Sequence, residues 1–274
     1  MRALNRPTSW WGWHGWNHPQ PMSIVEIIRD GTLPEELAAL FWLGIERGAS
    51  FIFAADPPGA GKTTLLTSLL PFAHPEAGAY FTRGWGETFD LPPRPEGPAP
   101  VFLLVNEMSD HLPVYSWGPY VVRAFELLAQ GYGLLTTMHA DDCEEALAQL
   151  EEDNGVPRRH IACLTFIVPL AVRHGGPGRG TLRRVSEVGL VGPDGADGYT
   201  LRRIARWDAG QDAFALFERE GDRAAVASRL SMTEDAFDRA VAERADFLRG
   251  LVQAGIADTE EVEARVDAWR RASA

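Results

Sequence analysis

The sequence is poor in cysteine, and its two cysteines are not placed for chemistry. Cys143 and Cys163 form neither a metal-ligand spacing nor a redox pair. Disulfide frameworks and structural zinc sites need several cysteines at close, recurrent spacings. We therefore expect both thiols to belong to the core or to have no functional role.

Long apolar runs and an excess of positive charge are also missing. No apolar stretch approaches the ~18 residues of a membrane span, and no basic-then-apolar segment opens the chain. The formal net charge of −12 argues against nonspecific binding to nucleic acid or to an anionic membrane surface. We expect a cytoplasmic protein that reaches the inner face of a membrane only through partners, with no specific nucleic acid among its ligands.

The most informative stretch of the sequence predicts a phosphate-binding loop. A short apolar run at residues 51–54 leads into a glycine-bearing loop, and Gly-Lys-Thr stands where a helix is expected to begin. Strand, loop and helix in this order form a P-loop, whose N–H groups and helix dipole favour an anion. Lys62 would reach the terminal phosphates, and the Thr63 hydroxyl would meet a magnesium ion. The residues expected around the nucleotide are Gly59, Ala60, Gly61, Lys62, Thr63 and Thr64.

One position of this motif departs from the strict pattern. Asp56 stands where the first glycine normally is, and aspartate tolerates unusual backbone angles better than most residues. Its carboxylate would disfavour a triphosphate unless it points away. The alternative interpretation is a Gly/Pro turn that merely precedes Gly-Lys-Thr.

Two further apolar runs predict buried strands of a mainly parallel sheet. Residues 101–105 lead to Asn106 and Glu107, and residues 133–138 lead to His139. Fully apolar runs suit strands that are covered on both faces. Ligands bind at the carboxyl ends of such strands, so Glu107 and His139 are candidate site residues. Further predictions are helices at 23–31, 33–46, 121–130 and 144–151, a strand at 161–172 and a loop at 91–100.

The chain is expected to divide into three parts. Residues 1–20 are rich in tryptophan and form either a terminal strand or loop that covers core, or a docking segment. Residues 21–218 form an α/β domain that ends in a small β extension, with strands at 183–191 and 199–204. Residues 219–274 form a helical tail, with a capping box at Ser231 and Glu234, a break at Gly255 and a new helix at Thr259. Its apolar stripe is expected to pack on the same domain.

Several segments together resemble the motor domain of the type II/type IV secretion and pilus ATPases, the archaellum and Tad-like branches above all. Residues 103–110, Leu-Leu-Val-Asn-Glu-Met-Ser-Asp, resemble the family's Walker B segment, and residues 135–142, Leu-Thr-Thr-Met-His-Ala-Asp-Asp, resemble its histidine box. The likeness extends over roughly residues 20–260. It implies a RecA-like P-loop NTPase fold that uses ATP and Mg²⁺. It also implies a hexamer, or a hetero-oligomer with a related ATPase, acting on an inner-membrane platform protein.

The resemblance suggests roles for three residues, each with a plainer alternative. Glu107 would orient or deprotonate the attacking water, or it is only a solvated residue at a strand end. His139 would sense the γ-phosphate, or it is a structural hydrogen-bonding residue. Asp110 would stand in the second shell of the metal, or it serves only a turn.

The departures from the family bear on hydrolysis. The segment between Lys62 and Glu107 is shorter than usual, and this segment normally carries arginines that face a neighbouring subunit's nucleotide. Glu87 is the nearest candidate for the family's acidic pair, and Arg83 and Arg123 are the local candidates for the arginines. Asn106 and Ser109 replace the glycine and the arginine of the Walker B segment. Nucleotide binding is therefore better supported than efficient hydrolysis.

Three functions remain open from the sequence. The first is an ATPase motor subunit of a pilus or secretion machine. The second is a degenerate relative that binds nucleotide and regulates or scaffolds such a machine. The third is a small-molecule P-loop kinase, which would need an arginine-bearing lid and an acceptor pocket, and the sequence indicates neither.

Overall fold

The computed structural model describes residues 1–6, 22–92, 97, 99–174 and 180–273. The tryptophans of the N-terminal segment, at positions 10, 11, 13 and 16, lie outside the described residues. No helix among the described residues is long and apolar enough to cross a membrane.

Ten strands of the described part of the chain form one sheet at the centre of the fold. In chain order they are β1 (Arg2–Ala3), β2 (Phe51–Ala54), β3 (Gly78–Phe81), β4 (Val101–Met108), β5 (Gly133–Met138), β6 (Phe166–His174), β7 (Thr181–Val185), β8 (Glu187–Asp194), β9 (Gly198–Asp208) and β10 (Ala213–Leu216). The order across the sheet is β1-β3-β4-β5-β2-β6-β8-β9-β10, and β7 pairs with β6. The pairs from β1 to β6 are parallel, and those from β6 onward are antiparallel.

Helices cover both faces of the parallel strands, as the buried runs of these strands require. The helices are α1 (Ile24–Arg29), α2 (Glu35–Glu46), α3 (Lys62–Leu69), α4 (Pro119–Ala129), α5 (Cys143–Ala148), α6 (Arg158–Ile161), α7 (Asp222–Arg229), α8 (Glu234–Ala254) and α9 (Thr259–Ser273). Alternate residues of each strand enter two separate cores. Phe53 and Leu104 pack with α1, α2, α3 and α8, whereas Ile52 and Leu103 pack with α4, α5 and α6. The predicted α/β fold with a mainly parallel sheet is confirmed.

The helical tail packs on this domain through α8, as its apolar stripe predicts. Phe237, Val241 and Leu248 of α8 are buried in the same core as α2. Arg244 interrupts the stripe in the sequence, yet it is also buried there. Its guanidinium pairs with Glu46 and lies over the ring of Trp42, so its charge is compensated inside the contact. Gly255 ends α8 in the left-handed conformation that glycine favours.

Three local predictions are wrong, and tertiary contacts explain the first two. The strand predicted at 161–172 begins only at Phe166, because Arg229 donates to the carbonyls of residues 162–164 and holds them as a loop. The strand predicted at 183–191 is two strands split at Ser186. The Ser186 N–H donates to Pro169 and its carbonyl accepts from Trp207, so the chain passes from one partner strand to another.

The third correction concerns the start of α8. Thr233, and not Ser231, caps this helix, since the Thr233 hydroxyl accepts from the N–H of Ala236 at 3.3 Å. Ser231 has a φ of 54° and belongs to the turn after α7. Two hydroxyl residues stood close to the helix start, and the periodicity alone did not separate them.

The capping box at Ser23 stabilises the start of α1, and the Ser23 hydroxyl also connects this helix to the C-terminal tail. The Ser23 hydroxyl accepts from the N–H of Glu26, and the Glu26 carboxylate accepts from the N–H of Ser23 at 2.8 Å. The same hydroxyl donates to the carbonyl of Ala257 at 2.6 Å.

Because Ser23 makes these contacts, we expect Ser23→Ala to lower the free energy of unfolding by about 1–2 kcal/mol. Urea denaturation measures this loss, and Ser228→Ala, on the exposed side of α7, is the control. An unchanged urea midpoint would contradict the cap assignment.

Candidate functional site

The P-loop has the geometry expected of a phosphate site. It runs from the end of β2 to the first turn of α3, and Gly59 and Gly61 hold φ values of 76° and 96°. Glycine is needed at both positions because other residues rarely adopt such angles. Gly61 provides no side-chain cap, so the first N–H groups of α3 remain available to an anion. A Cβ added at Gly59 would meet nothing within 4 Å, which leaves this side of the loop open.

Lys62 is the only lysine in the sequence, and it begins α3. Its side chain is 7% exposed and its Nζ donates to the carbonyl of Ala55 at 2.7 Å. Burial lowers the pKa of the Lys62 ammonium, and the carboxylates of Glu107 and Asp56 act in the opposite direction. The lysine is thus folded back on its own loop, and a phosphate at the loop would give this desolvated charge a partner.

Glu107 and His139 meet at the carboxyl ends of β4 and β5. The register of these strands shifts between Val105 and Met108, and such a bulge re-aims the side chains it carries. His139 Nε2 lies 2.9 Å from Glu107 Oε1, and the Thr137 hydroxyl donates to Glu107 Oε2 at 3.3 Å. Oε1 accepts no well-aligned hydrogen bond from the described residues. A buried carboxylate oxygen with spare acceptor capacity can receive a proton from a water molecule.

His139 also connects this carboxylate to the P-loop. Its Nδ1 lies 2.9 Å from the carbonyl oxygen of Asp56 and 3.4 Å from Lys62 Nζ. The carbonyl of His139 accepts from the Gln149 amide at 2.6 Å, which fixes the turn after β5. The imidazole therefore lies between the P-loop and Glu107 and contacts both.

A cavity of about 520 Å³ opens over these groups, a size typical of small-molecule sites. Of the predicted site residues it is lined by Gly59, Ala60, Gly61, Lys62, Thr63, Thr64, Glu107 and His139. Asp110 is not among its lining residues. The Asp110 side chain is 67% exposed and faces His111, so the structure does not bring it to the loop.

The other charged candidates also lie outside the cavity. The Glu87 carboxylate accepts from the Tyr80 hydroxyl at 2.7 Å and from the N–H of Arg83 at 2.8 Å, and it organises the loop after β3. Arg83 is exposed, and Arg123 pairs with Glu126 on the exposed side of α4. Neither arginine lines the cavity.

Sequence reasoning missed two residues that do line the cavity, Arg183 and Tyr115. The Nε of Arg183 donates to the carbonyl of Gly59 at 3.0 Å. Burial, and then the negative charge of Glu107, raise the pKa of the Tyr115 hydroxyl. Both residues are far from the P-loop along the chain, and neither belongs to a motif. The Arg-Arg pair in a short strand was the only signal in the sequence.

The residues present fit a magnesium nucleotide. No group of three or more histidine, cysteine or acidic side chains that could hold a metal ion occurs among the described residues. Thr63 would offer its hydroxyl to that ion. Asn106, 3% exposed, has both amide atoms without a partner in the described part of the chain. Asn106 is not among the residues that line the cavity, whereas Glu107 is.

The P-loop follows β2, a central parallel strand, and Glu107 lies near the end of β4, with β5 between these two strands. No protein-family model matches the chain. An uncharacterized protein of Methanocaldococcus jannaschii is 27% identical over 216 residues, which cover 70% of this chain and 38% of that protein. This chain therefore spans well under half the length of that relative.

Solved structures show distant likenesses. The VirB11 ATPase of the Brucella suis type IV secretion system aligns with 68% of this chain and 63% of its own, at 18% identity and a TM-score of 0.39. The ATPase DotB of Legionella pneumophila aligns with 85% of this chain and 58% of its own, at 14% identity and a TM-score of 0.38. DotB of Yersinia pseudotuberculosis aligns with 88% and 62%, at 14% identity and the same TM-score of 0.38.

Proposed function

We propose that the chain binds ATP with Mg²⁺ at the P-loop and acts as an ATPase motor subunit of a type IV pilus-like or type II/IV secretion machine. The observation that carries the nucleotide part is the convergence of Lys62, His139 and Glu107 over an open, glycine-bearing loop. The assignment to such a machine is based on the order of the P-loop, Walker B-like and histidine-box segments in the sequence. An oligomer that acts on an inner-membrane platform protein belongs to the same proposal.

The residues of the site divide the work of phosphoryl transfer, which depends on positioning and charge neutralisation. The N–H groups of the P-loop and Lys62 hold the phosphates, and Thr63 offers its hydroxyl to Mg²⁺, which neutralises phosphate charge when bound. Glu107 accepts the proton of the attacking water on its carboxylate, which His139 and Thr137 hold at the end of β4. His139 holds this carboxylate in place relative to the P-loop, because one ring nitrogen contacts Glu107 and the other contacts the carbonyl of Asp56.

The second candidate is a nucleotide-binding regulator or scaffold with little hydrolysis. The short segment between Lys62 and Glu107 favours it, because this segment normally carries the arginines that face a neighbouring subunit's nucleotide. An experiment that separates the two is magnesium-dependent ATP turnover measured against protein concentration. A steep rise with concentration supports an assembling motor. Binding of ATP without turnover at any concentration supports the regulator.

We expect the isolated chain to bind ATP and to hydrolyse it poorly. An arginine supplied by a neighbouring subunit can raise the rate of such a reaction by ~10³–10⁵-fold, and the segment that normally carries this arginine is shortened in this chain. A related ATPase that supplies this arginine should restore hydrolysis. The measurement is turnover of the purified chain with its oligomeric state determined in the same buffer. Rapid hydrolysis by a homo-oligomer, lost in Arg83→Ala or Arg123→Ala, would contradict this expectation.

A further inference from the structure

The cavity extends from the P-loop away from the catalytic side of the sheet. β2 lies between β5, which leads to His139, and β6, which carries Leu170. β7 pairs with β6 and places Arg183 opposite Val172. Leu170 and Arg183 therefore line the cavity on the side of the P-loop opposite Glu107 and His139. Phosphates that point their terminal group at Glu107 would leave the rest of the nucleotide on this second side.

This second side has the composition of a surface for a flat organic ring. We name it the nucleoside flank and define it by Met22, Ile27, Leu170 and Arg183, all of which line the cavity. Ile27 and Leu170 are almost fully buried by their neighbours and are fixed in place. Apolar side chains with one or two placed polar groups are the usual lining of cofactor and nucleotide sites.

Arg183 is held where its guanidinium can cover such a ring. The Nε of Arg183 donates to the carbonyl of Gly59 at 3.0 Å, which anchors the side chain to the P-loop. The Cδ of Arg183 would lie 3.4 Å from a Cβ placed on Gly61, so the arginine side chain lies across the loop. No described residue accepts from its two Nη atoms. The planar guanidinium stacks on aromatic faces, which a compact ammonium does not do.

Hydrogen bonds from the residues of β7 that follow Arg183 hold the nucleoside flank in place. Arg184 Nη1 donates to the carbonyl of Asp30 at 2.9 Å, and the N–H of Val185 donates to the carbonyl of Thr32 at 2.8 Å. These bonds fasten the end of α1 to β7. Asp30 and Thr32 line the same cavity, where a carboxylate and a hydroxyl suit the hydroxyls of a ribose.

We propose that the nucleoside flank binds the base and ribose of the nucleotide and that Arg183 stacks on the base while anchored to the P-loop. The inference rests on the proposed nucleotide binding. It assigns Arg183 to the nucleoside and not to the phosphates. An arginine that contacts the phosphates contributes to the binding of both ATP and inorganic tripolyphosphate. An arginine that contacts the base contributes only to the binding of ATP, because tripolyphosphate lacks a nucleoside.

The test compares the binding of Mg-ATP and Mg-tripolyphosphate by calorimetry in the parent chain and in variants. Arg183→Ala should weaken ATP binding about 10-fold, the loss expected for a base–arginine stack, and should leave tripolyphosphate within about twofold. Arg183→Lys keeps the positive charge but loses the planar guanidinium. It should therefore weaken the binding of ATP and leave the binding of tripolyphosphate unchanged. The matched control is Arg173→Ala, in the same pair of strands, whose guanidinium contacts Ala209 and Trp207. This control should change neither affinity.

Each other outcome overturns a definite part of the account. Equal losses for ATP and tripolyphosphate in Arg183→Ala would place Arg183 on the phosphates and refute the nucleoside flank. No loss for either would also refute it, while nucleotide binding itself would stand. Failure of the parent chain to bind either compound would refute the proposed function and the flank with it. Arg183→Lys decides the matter if the alanine variant does not fold.

Discussion

Lys62→Ala is expected to abolish ATP binding, with the dissociation constant raised about 100-fold or more. Lys62 is the only lysine of the chain and is buried beside the loop that would hold the phosphates. Its ammonium now donates to the Ala55 carbonyl and lies close to His139. Without it, the phosphates would lie near the carboxylates of Asp56 and Glu107 with no ammonium at the start of α3. Titration with a fluorescent ATP analogue measures the loss.

Two controls make this result specific. Arg239→Ala removes a cation from the exposed face of α8 and should leave the affinity unchanged. Lys62→Ala should also lose affinity for tripolyphosphate, which distinguishes it from Arg183→Ala. Binding of the analogue by Lys62→Ala as tightly as by the parent would show that the P-loop assignment is wrong.

Glu107→Gln is expected to keep ATP binding and to lower hydrolysis by ~10²–10⁴-fold. The amide preserves the shape and the contact with Thr137, but it does not take a proton from water. The Glu107 carboxylate, whose Oε1 lies 2.9 Å from His139 Nε2, is the group that loses this function. Single-turnover hydrolysis with protein in excess over ATP detects the slow rates that the isolated chain is expected to show.

The comparison variant is Glu87→Gln, which changes another buried carboxylate near the same end of the sheet. The donors to Glu87 come from its own loop and from β3, so we expect a loss of stability and no selective loss of turnover. Unchanged turnover in Glu107→Gln would place the catalytic group elsewhere, or would show that the measured activity belonged to a contaminant.

Apart from the cap of α8, the sequence was sufficient where structure depends on neighbours along the chain. The apolar run at 133–138 is a strand with the same bounds in the structure, and the Ser23 capping box forms as its spacing predicts. The P-loop is also a local motif, because its glycines, its lysine and its helix start are consecutive. These features need only backbone angles, caps and burial on both faces, all of which residue type and spacing determine.

What the sequence did not reveal depends on contacts between distant segments. Arg229 satisfies three loop carbonyls and so prevents a strand that the residue types alone would favour. Arg183 reaches the P-loop from 124 positions away. His139 was predicted at the site, but its position between Asp56 and Glu107 depends on the order of β4, β5 and β2 in the sheet. Strand order of this kind has no local signal.

The central claim is that a nucleoside triphosphate binds at the start of α3, and the single lysine allows a direct test. Protein grown with ¹⁵N-lysine should give one lysine amide signal in a ¹H–¹⁵N correlation spectrum, because Lys62 is the only lysine. This N–H belongs to the first turn of α3, where no side chain caps the helix. We predict that Mg-ATP shifts this signal saturably, and that tripolyphosphate shifts it as well. A signal that stays in place at millimolar Mg-ATP would contradict the account.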